Sequence, residues 1–212
     1  MHSDLKALVF DLDGTLYVNP QLGREIRRAA CRYIADLKGI GVEEADLLIT
    51  ETKKILTAAS GIDTPLSLAC GELGGDLREM HRRFAAEIVP ERYVSRDSRV
   101  AELLKTLGSA FELYIYTNNN RVLTARIMEL IGVAGLFRDV FTIEDSWLPK
   151  PNRQALADIL RRIGRNAEEC LFVGDRYDVD LRMPAERGCA VFLVSSTEEL
   201  FSLCKLMNKE SV

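Results

Sequence analysis

The sequence has no long apolar run, little local excess of one charge and no closely paired cysteines. None of its apolar runs approaches the roughly 18 residues that a membrane-spanning helix needs. Asp11 and Asp13 interrupt the apolar stretch near the first residue, which therefore does not resemble a secretion signal. We accordingly expect a cytoplasmic protein that has no membrane partner.

Charge and cysteine content exclude two further classes. The 212 residues include 28 lysines and arginines and 32 aspartates and glutamates, which give a net charge of −4 without a long basic run. Proteins that follow a nucleic-acid backbone carry a basic surface, so we expect no nucleic-acid partner. The five cysteines contain no CxxC pair, and their odd number fits a reducing compartment better than a disulfide framework.

Phosphate-binding glycine loops are also absent, since the chain has neither a GxGxxG sequence nor a glycine-rich loop ending in Lys-Ser/Thr. What remains is an ordinary globular composition, 47% hydrophobic and 28% charged. A chain of this length buries roughly 70% of its extended surface when it folds. Neither a metal nor a disulfide is therefore needed for stability alone.

Short β-type apolar runs recur along the chain and alternate, in its second half, with helix-length segments of 3.6-residue periodicity. The runs cover residues 5–10, 111–116, 140–143, 170–173 and 190–194. They are apolar at consecutive positions, as is typical of strands buried on both faces. The pattern predicts an α/β fold in which helices cover a parallel sheet.

About a hundred residues separate the first two runs, too many for a single crossover. Residues 22–38, 45–56 and 77–88 in this stretch each place apolar side chains on one helical face. We predict an all-helical inserted domain at residues 18–95, on a core domain formed by residues 1–17 and 96–212. His81, in the third segment, is expected on the helix surface, with a substrate contact or a proton carrier as the less favoured alternative.

Polar residues follow four of the predicted strands. In chain order they are Asp11 and Asp13, then Thr117 and Asn118, then Lys150, and finally Asp175 and Asp180. The carboxyl ends of parallel strands share one edge of a sheet, where ligands bind. We therefore expect all four segments to meet in a single pocket.

Four carboxylates in one pocket, those of Asp11, Asp13, Asp175 and Asp180, need a counter-charge. Each pair of unit charges 4 Å apart repels by about 4 kcal/mol at an effective dielectric of about 20. Lys150 alone does not offset this repulsion, whereas Mg²⁺ prefers carboxylate and phosphate oxygens. None of the four segments contains the histidine or cysteine typical of a zinc site. The sequence predicts Mg²⁺ as the cofactor.

The other groups in this pocket suit a phosphoryl group. Thr117 offers a hydroxyl, the turn containing Asn118 offers backbone N–H groups, and Lys150 offers a positive charge. A carboxylate such as that of Asp11 can attack phosphorus and form an aspartyl phosphate. Asp13 is placed to protonate the leaving alkoxide and then to activate water.

These motifs resemble the four signature motifs of the haloacid dehalogenase-like hydrolase superfamily. They are residues 10–16 (FDLDGTL), 116–118 (YTN), 150–151 (KP) and 173–180 (VGDRYDVD). The resemblance implies a Rossmann-like core with a helical cap of the C1 type inserted after the first motif. It also implies Mg²⁺-dependent phosphate transfer through an aspartyl phosphate.

Carried over by position, the resemblance makes Asp11 the nucleophile and Asp13 the general acid and base, whose backbone carbonyl also binds the metal. Thr117 and Lys150 would bind phosphate, and Asp175 would bind metal. The second acidic residue of the fourth motif stands four or five positions after the first in this superfamily. Asp180 fits that spacing, while Asp178 remains an alternative that could instead cap a helix.

The presence of Asp13 favours an alkoxide leaving group, and hence a phosphatase, because release of a halide needs no proton. Residues 17–20, which begin at Tyr17 and lead into the insertion, and the helical segments that follow resemble the pyrimidine 5′-nucleotidase and phosphoglycolate phosphatase-like branch. This resemblance is weaker than that of the four motifs to the superfamily. A nucleoside 5′-monophosphate is therefore a candidate substrate, and phosphoglycolate or a sugar phosphate remains open.

The chain is expected to be a monomer or homodimer. The alternatives of another class are a phosphoacceptor signalling protein and a non-catalytic protein of the same fold.

Overall fold

The structure is a computed structural model that describes residues 5–210, with side chains described as far as residue 205. Within this range a parallel sheet has the strand order β3-β2-β1-β4-β5. The strands are β1 (Ala7–Phe10), β2 (Glu112–Tyr116), β3 (Asp139–Phe141), β4 (Cys170–Gly174) and β5 (Ala190–Leu193). β1 lies at the centre, where Val9 pairs with Tyr114 on one side and Phe172 on the other. The predicted α/β fold with a parallel sheet is confirmed.

Helices connect the strands and cover both faces of the sheet. They are α1 (Pro20–Lys38), α2 (Val42–Ser60), α3 (Leu66–Glu72), α4 (Leu77–Glu87), α5 (Ser98–Gly108), α6 (Arg121–Ile131), α7 (Arg153–Ile163), α8 (Arg182–Glu186) and α9 (Thr197–Leu200). A single π-helical turn, Tyr177–Leu181, precedes α8. No helix in the described part of the chain combines the length and apolarity that a membrane crossing requires.

Alternate side chains of β1 point to opposite faces, as the two-residue period of a strand dictates. Leu8 and Phe10 belong to the larger apolar cluster, which includes side chains of α5 and α6. Ala7 and Val9 belong to the second cluster, which includes side chains of α7. Because both faces are buried, all four residues of the strand are apolar, and this explains why the run was readable from sequence.

The first four helices after β1, α1 to α4, pack on one another through contacts of α1 with α2, α3 and α4. The three helical segments predicted here correspond to α1, α2 and α4. The short helix α3 was not predicted, because its seven residues span two turns and give no readable periodicity. Asn120 donates to the backbone oxygen of His81 at 3.3 Å, a contact that joins α4 to the start of α6. This contact sets α4 beside the carboxyl edge of the sheet.

Candidate active site

Asp11 directly follows the central strand β1, and its backbone is bonded to the end of the neighbouring strand β4. Its backbone nitrogen donates to the backbone oxygen of Val173 at 2.8 Å, which extends the β1–β4 pairing by one residue. Its side chain is 4% exposed and accepts a 3.3 Å hydrogen bond from the hydroxyl of Thr15. Backbone pairing thus fixes the position of this carboxylate at the sheet edge.

Two glycines allow the other acidic segments to approach Asp11. Gly14 has a φ of +92°, and a Cβ at this position would overlap the carboxylate of Asp175. A Cβ at Gly174 would lie only 2.6 Å from the Cβ of Asp180. A side chain at either position would push an aspartate away from the strand end, so the glycines are a steric requirement of the cluster.

Asp11, Asp175 and Asp180 each place a carboxylate oxygen within 4.8 Å of the others. The ammonium of Lys150 lies 2.7 Å from Asp11 Oδ1 and 2.7 Å from Asp180 Oδ1. It also donates to the backbone oxygen of Tyr116 at 2.8 Å. Burial opposes the charge of Lys150, but the two carboxylates outweigh it and raise the pKa of the ammonium group. We call these three acids and Lys150 the acidic cluster.

One lysine leaves the acidic cluster with surplus negative charge. Burial raises the pKa of Asp11; the charge of Lys150 opposes this rise, and the carboxylate of Asp180 adds to it. Burial also raises the pKa of Asp175, whose Oδ1 is buried without a hydrogen-bond partner among the described residues. Oxygen donors, excess negative charge and an unpartnered carboxylate oxygen fit a hard divalent cation such as Mg²⁺.

Asp13 lies beside the acidic cluster in a different environment, since its neighbours are hydrogen-bond donors. Tyr17 donates its hydroxyl to Asp13 Oδ1, and Asn119 donates its amide to Asp13 Oδ2 at 3.1 Å. The hydroxyl of Thr117 lies at 3.5 Å from Asp13 Oδ2. Burial raises the pKa of Asp13, while the bonds from Tyr17 and Asn119 act in the opposite direction. A carboxyl group with a raised pKa suits proton transfer near neutral pH.

Asn118 lines the site and also holds the loop that carries Lys150. Its side-chain amide donates to the backbone oxygen of Lys150 at 3.1 Å, and its Oδ1 accepts from the backbone nitrogen of Lys150 at 2.7 Å. The Lys150–Pro151 peptide bond is cis. Asn118 therefore joins the end of β2 to the lysine loop, a contact that the sequence did not indicate.

The structure distinguishes Asp180 from Asp178, which sequence reasoning left open. Both aspartates lie in the π-helical turn, but Asp180 belongs to the acidic cluster, whereas Asp178 forms an ion pair with Arg182 at 2.8 Å. Arg176, at the same turn, lies 3.7 Å from Asp175 Oδ1 and 3.8 Å from Asp180 Oδ2. Arg176 therefore forms ion pairs with two acids of its own segment.

A cleft of about 310 Å³ opens above these residues, between the sheet edge and the helices inserted after β1. Its sheet side is lined by Asp11, Asp13, Thr117, Asn118, Asn119, Asp175 and Arg176. Its other side is lined by Ile26, Pro65, Leu66, Ser67, Met80, His81 and Phe84. The four motif segments therefore meet at one edge of the sheet, but two of the predicted site residues, Lys150 and Asp180, contact each other beside Asp11 and do not line the cleft.

His81 is not on the helix surface, contrary to the sequence-based expectation. Its side chain is 5% exposed, lines the cleft and packs edge-on against Phe84, with ring centroids 5.3 Å apart. The sequence did contain a signal, because residues three positions apart share a helical face and Phe84 is apolar. Asn119 was also not predicted as a site residue, although it stands in the run of asparagines after β2.

Comparison with known proteins agrees with this arrangement. The family model described as "haloacid dehalogenase-like hydrolase" matches residues 5–188. The chain belongs to the haloacid dehalogenase-like (HAD-like) hydrolase family. The family predicted from the four motifs is thereby confirmed.

Named relatives of this HAD-like hydrolase include phosphatases. Glyceraldehyde 3-phosphate phosphatase of Methanopyrus kandleri is 27% identical over 192 residues, covering 84% of this chain and 78% of that protein. Phosphoglycolate phosphatase of Salmonella typhi is 27% identical over 207 residues, covering 88% of this chain and 79% of that protein. The prediction of a phosphatase-type member is confirmed.

A solved structure, described as a HAD phosphatase from Thermococcus onnurineus, aligns with a TM-score of 0.60 and 18% identity. The alignment covers 98% of this chain and 100% of that one. At this level of identity the likeness concerns the fold alone, and it agrees with the parallel sheet described above.

Proposed function

We propose that this HAD-like hydrolase cleaves the phosphomonoester of a compact metabolite through a phosphorylated Asp11, with Mg²⁺ as cofactor. The observation that carries the proposal is the pairing of two carboxylates in different surroundings at one end of the cleft. Asp11 forms an ion pair with Lys150, whereas Asp13 accepts hydrogen bonds from two neutral side chains, Tyr17 and Asn119. Different environments give two carboxyl groups different roles.

In the first step an oxygen of the Asp11 carboxylate attacks phosphorus, and the bond between phosphorus and the ester oxygen breaks. The leaving alkoxide takes the proton of Asp13 and departs as the alcohol. Thr117, which lines this end of the cleft, and Lys150, which contacts Asp11, would bind phosphoryl oxygens and stabilise the charge that develops there. Tyr17 and Asn119 hold Asp13 in place, since both donate to its carboxylate.

In the second step a water molecule attacks the phosphorus of the aspartyl phosphate. Asp13, now ionised, accepts the proton of this water, and the bond between phosphorus and Asp11 breaks. Inorganic phosphate leaves, Asp11 is again a carboxylate and Asp13 is again protonated. The sum of both steps is the hydrolysis of one phosphomonoester by one water.

The side chains of Asp11, Asp175 and Asp180, with the backbone carbonyl of Asp13, would hold the metal ion. When bound, Mg²⁺ neutralises charge on the carboxylates and on the phosphoryl oxygens, so that an anionic nucleophile meets an anionic substrate with less repulsion. The unpartnered Oδ1 of Asp175 supports this assignment.

The size of the cleft supports a small substrate. Its volume of about 310 Å³ is at the lower end of the roughly 300–1,000 Å³ typical of ligand pockets. This favours a compact phosphate ester, of the kind named in the two relatives, over a nucleoside monophosphate. We further propose that residues 18–95 act as a separate cap domain, whose helices close over the substrate and exclude water.

Purified protein with Mg²⁺ should release inorganic phosphate from p-nitrophenyl phosphate over many turnovers, and EDTA should stop the release. Asp11→Asn should reduce turnover by at least about a thousandfold while the circular dichroism spectrum is unchanged. Asp180→Asn should weaken the Mg²⁺ dependence, whereas the control Asp178→Asn should leave it unaltered. A single stable phosphorylation without turnover would instead support the signalling alternative, and retained activity of Asp11→Asn would refute the assigned nucleophile.

A further inference from the structure

The two sides of the cleft differ in charge. Among the described residues that line it, the charged side chains are Asp11, Asp13, Asp175 and Arg176, all at the sheet edge. The side formed by α1, α4 and the start of α3 is apolar except for Ser67 and His81. The end of the cleft at the sheet edge therefore suits a charged phosphate group, whereas the opposite end suits an uncharged group.

Arg176 does not supply a free positive charge to the opposite end. Its guanidinium lies within 4 Å of carboxylate oxygens of Asp175 and Asp180. Burial disfavours the charged form, but these acids and Asp11 outweigh it and raise the pKa of Arg176. Arg176 is thus directed to the acidic cluster and not to the opposite end of the cleft.

Three arginines on the inserted helices are close in sequence to residues that line the cleft, and each of them contacts another partner. Arg27 bonds to Asp46 at 2.6 Å, and Arg83 bonds to Asp36 at 2.5 Å. The guanidinium of Arg78 lies 4.7 Å from the ring centre of Trp147, in the loop after β3. None of these three side chains lines the cleft. A second anionic group on a substrate would therefore meet no cation from these arginines.

His81 is the most polar side chain on the apolar side of the cleft. Neither of its ring nitrogens has a hydrogen-bond partner among the described residues, although both atoms are buried. Burial lowers the pKa of His81 to about 4, so at neutral pH the ring carries one N–H donor and one acceptor nitrogen. Buried polar groups without partners are rare in folded proteins, and a ligand that completes the bonding is one explanation.

We infer that the cleft takes phosphomonoesters whose alcohol part is uncharged and carries a hydroxyl or carbonyl oxygen, and that His81 forms a hydrogen bond with this oxygen. The inference rests on the proposed function and specifies its substrate class. An uncharged polar group satisfies the imidazole and loses little hydration, whereas a carboxylate here would lose its hydration without a counter-charge. The phosphate remains the anionic end of the substrate.

Two substrates with the same three-carbon skeleton test the charge preference. Glycerol 3-phosphate carries a –CH₂OH group where 3-phosphoglycerate carries a carboxylate. With Mg²⁺, kcat/KM should be at least about 50-fold higher for glycerol 3-phosphate. Equal values, the reverse order, or no turnover of either ester while p-nitrophenyl phosphate is hydrolysed would overturn the inference. Failure to hydrolyse p-nitrophenyl phosphate as well would refute the proposed function itself.

The role of His81 is tested by His81→Phe, which keeps an aromatic ring against Phe84 and removes both nitrogens. We expect kcat/KM for glycerol 3-phosphate to fall about tenfold, the effect of one lost hydrogen bond, and the value for 3-phosphoglycerate to change much less. The ratio of the two values is the readout, because a purely structural defect lowers both together. A parallel loss would overturn the role of His81. The control is Arg82→Ala, on the same helix and exposed, which should leave the ratio unchanged.

The charge of the apolar side can also be altered directly. Ser67 lines the cleft near the start of α3, so Ser67→Lys adds a cation there. This variant should raise kcat/KM for 3-phosphoglycerate relative to glycerol 3-phosphate by about tenfold or more. Ser67→Met has a side chain of similar length without the charge and should not shift the ratio. An unchanged ratio in Ser67→Lys would overturn the placement of the alcohol part beside α3.

Discussion

Replacing Lys150 with methionine removes the ammonium group that holds Asp11 and Asp180 together while keeping a side chain of similar length. Lys150 is 2% exposed, and both carboxylates lie 2.7 Å from its Nζ. In the variant two buried carboxylates would face each other without this cation. The variant therefore tests the charge balance of the acidic cluster with little loss of packing.

The expected loss is large because water does not reach these groups readily. Removing one partner of a buried ion pair costs about 3–5 kcal/mol, mainly from the buried charge left behind. For a chain of this length a loss of that size lowers the melting temperature by roughly 6–20 °C. The backbone oxygen of Tyr116 also loses its donor, which adds to the cost. The variant should still fold, since a typical domain is stable by about 5–15 kcal/mol.

Urea or thermal unfolding in EDTA measures this loss, with Lys105→Met, an exposed lysine on α5, as the control expected to stay within about 0.5 kcal/mol. Adding Asp180→Asn to Lys150→Met should recover part of the loss, because one of the unpaired charges disappears. Mg²⁺ should also stabilise the variant more than the unaltered protein. A loss below about 1 kcal/mol, or no recovery in the double variant, would refute the buried charge balance.

Four further variants test other parts of the structure. Gly174→Ala should lower both the melting temperature and the phosphatase activity, because its Cβ would lie 2.6 Å from that of the aspartate six residues on. Gly23→Ala, inside α1 and facing open space, should instead stabilise the protein by about 0.5–1 kcal/mol, and the opposite order of melting temperatures would contradict the steric argument. Tyr17→Phe should lower kcat about tenfold with little change in KM, because Asp13 loses a donor, and an unaltered kcat would contradict that role. Burial lowers the pKa of His81 to about 4, so between pH 6.5 and 4 the unfolded chain binds a proton that the folded chain does not, and stability falls as the pH falls. His81→Phe should therefore lose about 2 kcal/mol less than the unaltered protein between pH 7 and pH 5, whereas equal losses in urea titrations would contradict the burial.

The sequence by itself determined the strands and the order in which polar residues follow them. Both faces of β1 are buried, so its apolar residues are consecutive and easily recognised. Parallel strands end at one edge, and this rule was enough to predict that the segments of Asp11, Thr117, Lys150 and Asp175 meet there, although Lys150 contacts Asp11 without lining the cleft. The motifs around these residues are local in sequence, which is why the family could be identified from them.

Only the tertiary structure decided the strand order, the choice between Asp178 and Asp180 and the position of His81. The two aspartates are two residues apart in a π-helical turn, whose spacing differs from that of an ordinary helix, so periodicity does not tell which one points inward. His81 stands on an amphipathic helix, and its burial depends on where α4 packs against the rest of the chain. Contacts between distant segments determine these features, and a local sequence pattern does not specify which segments will meet.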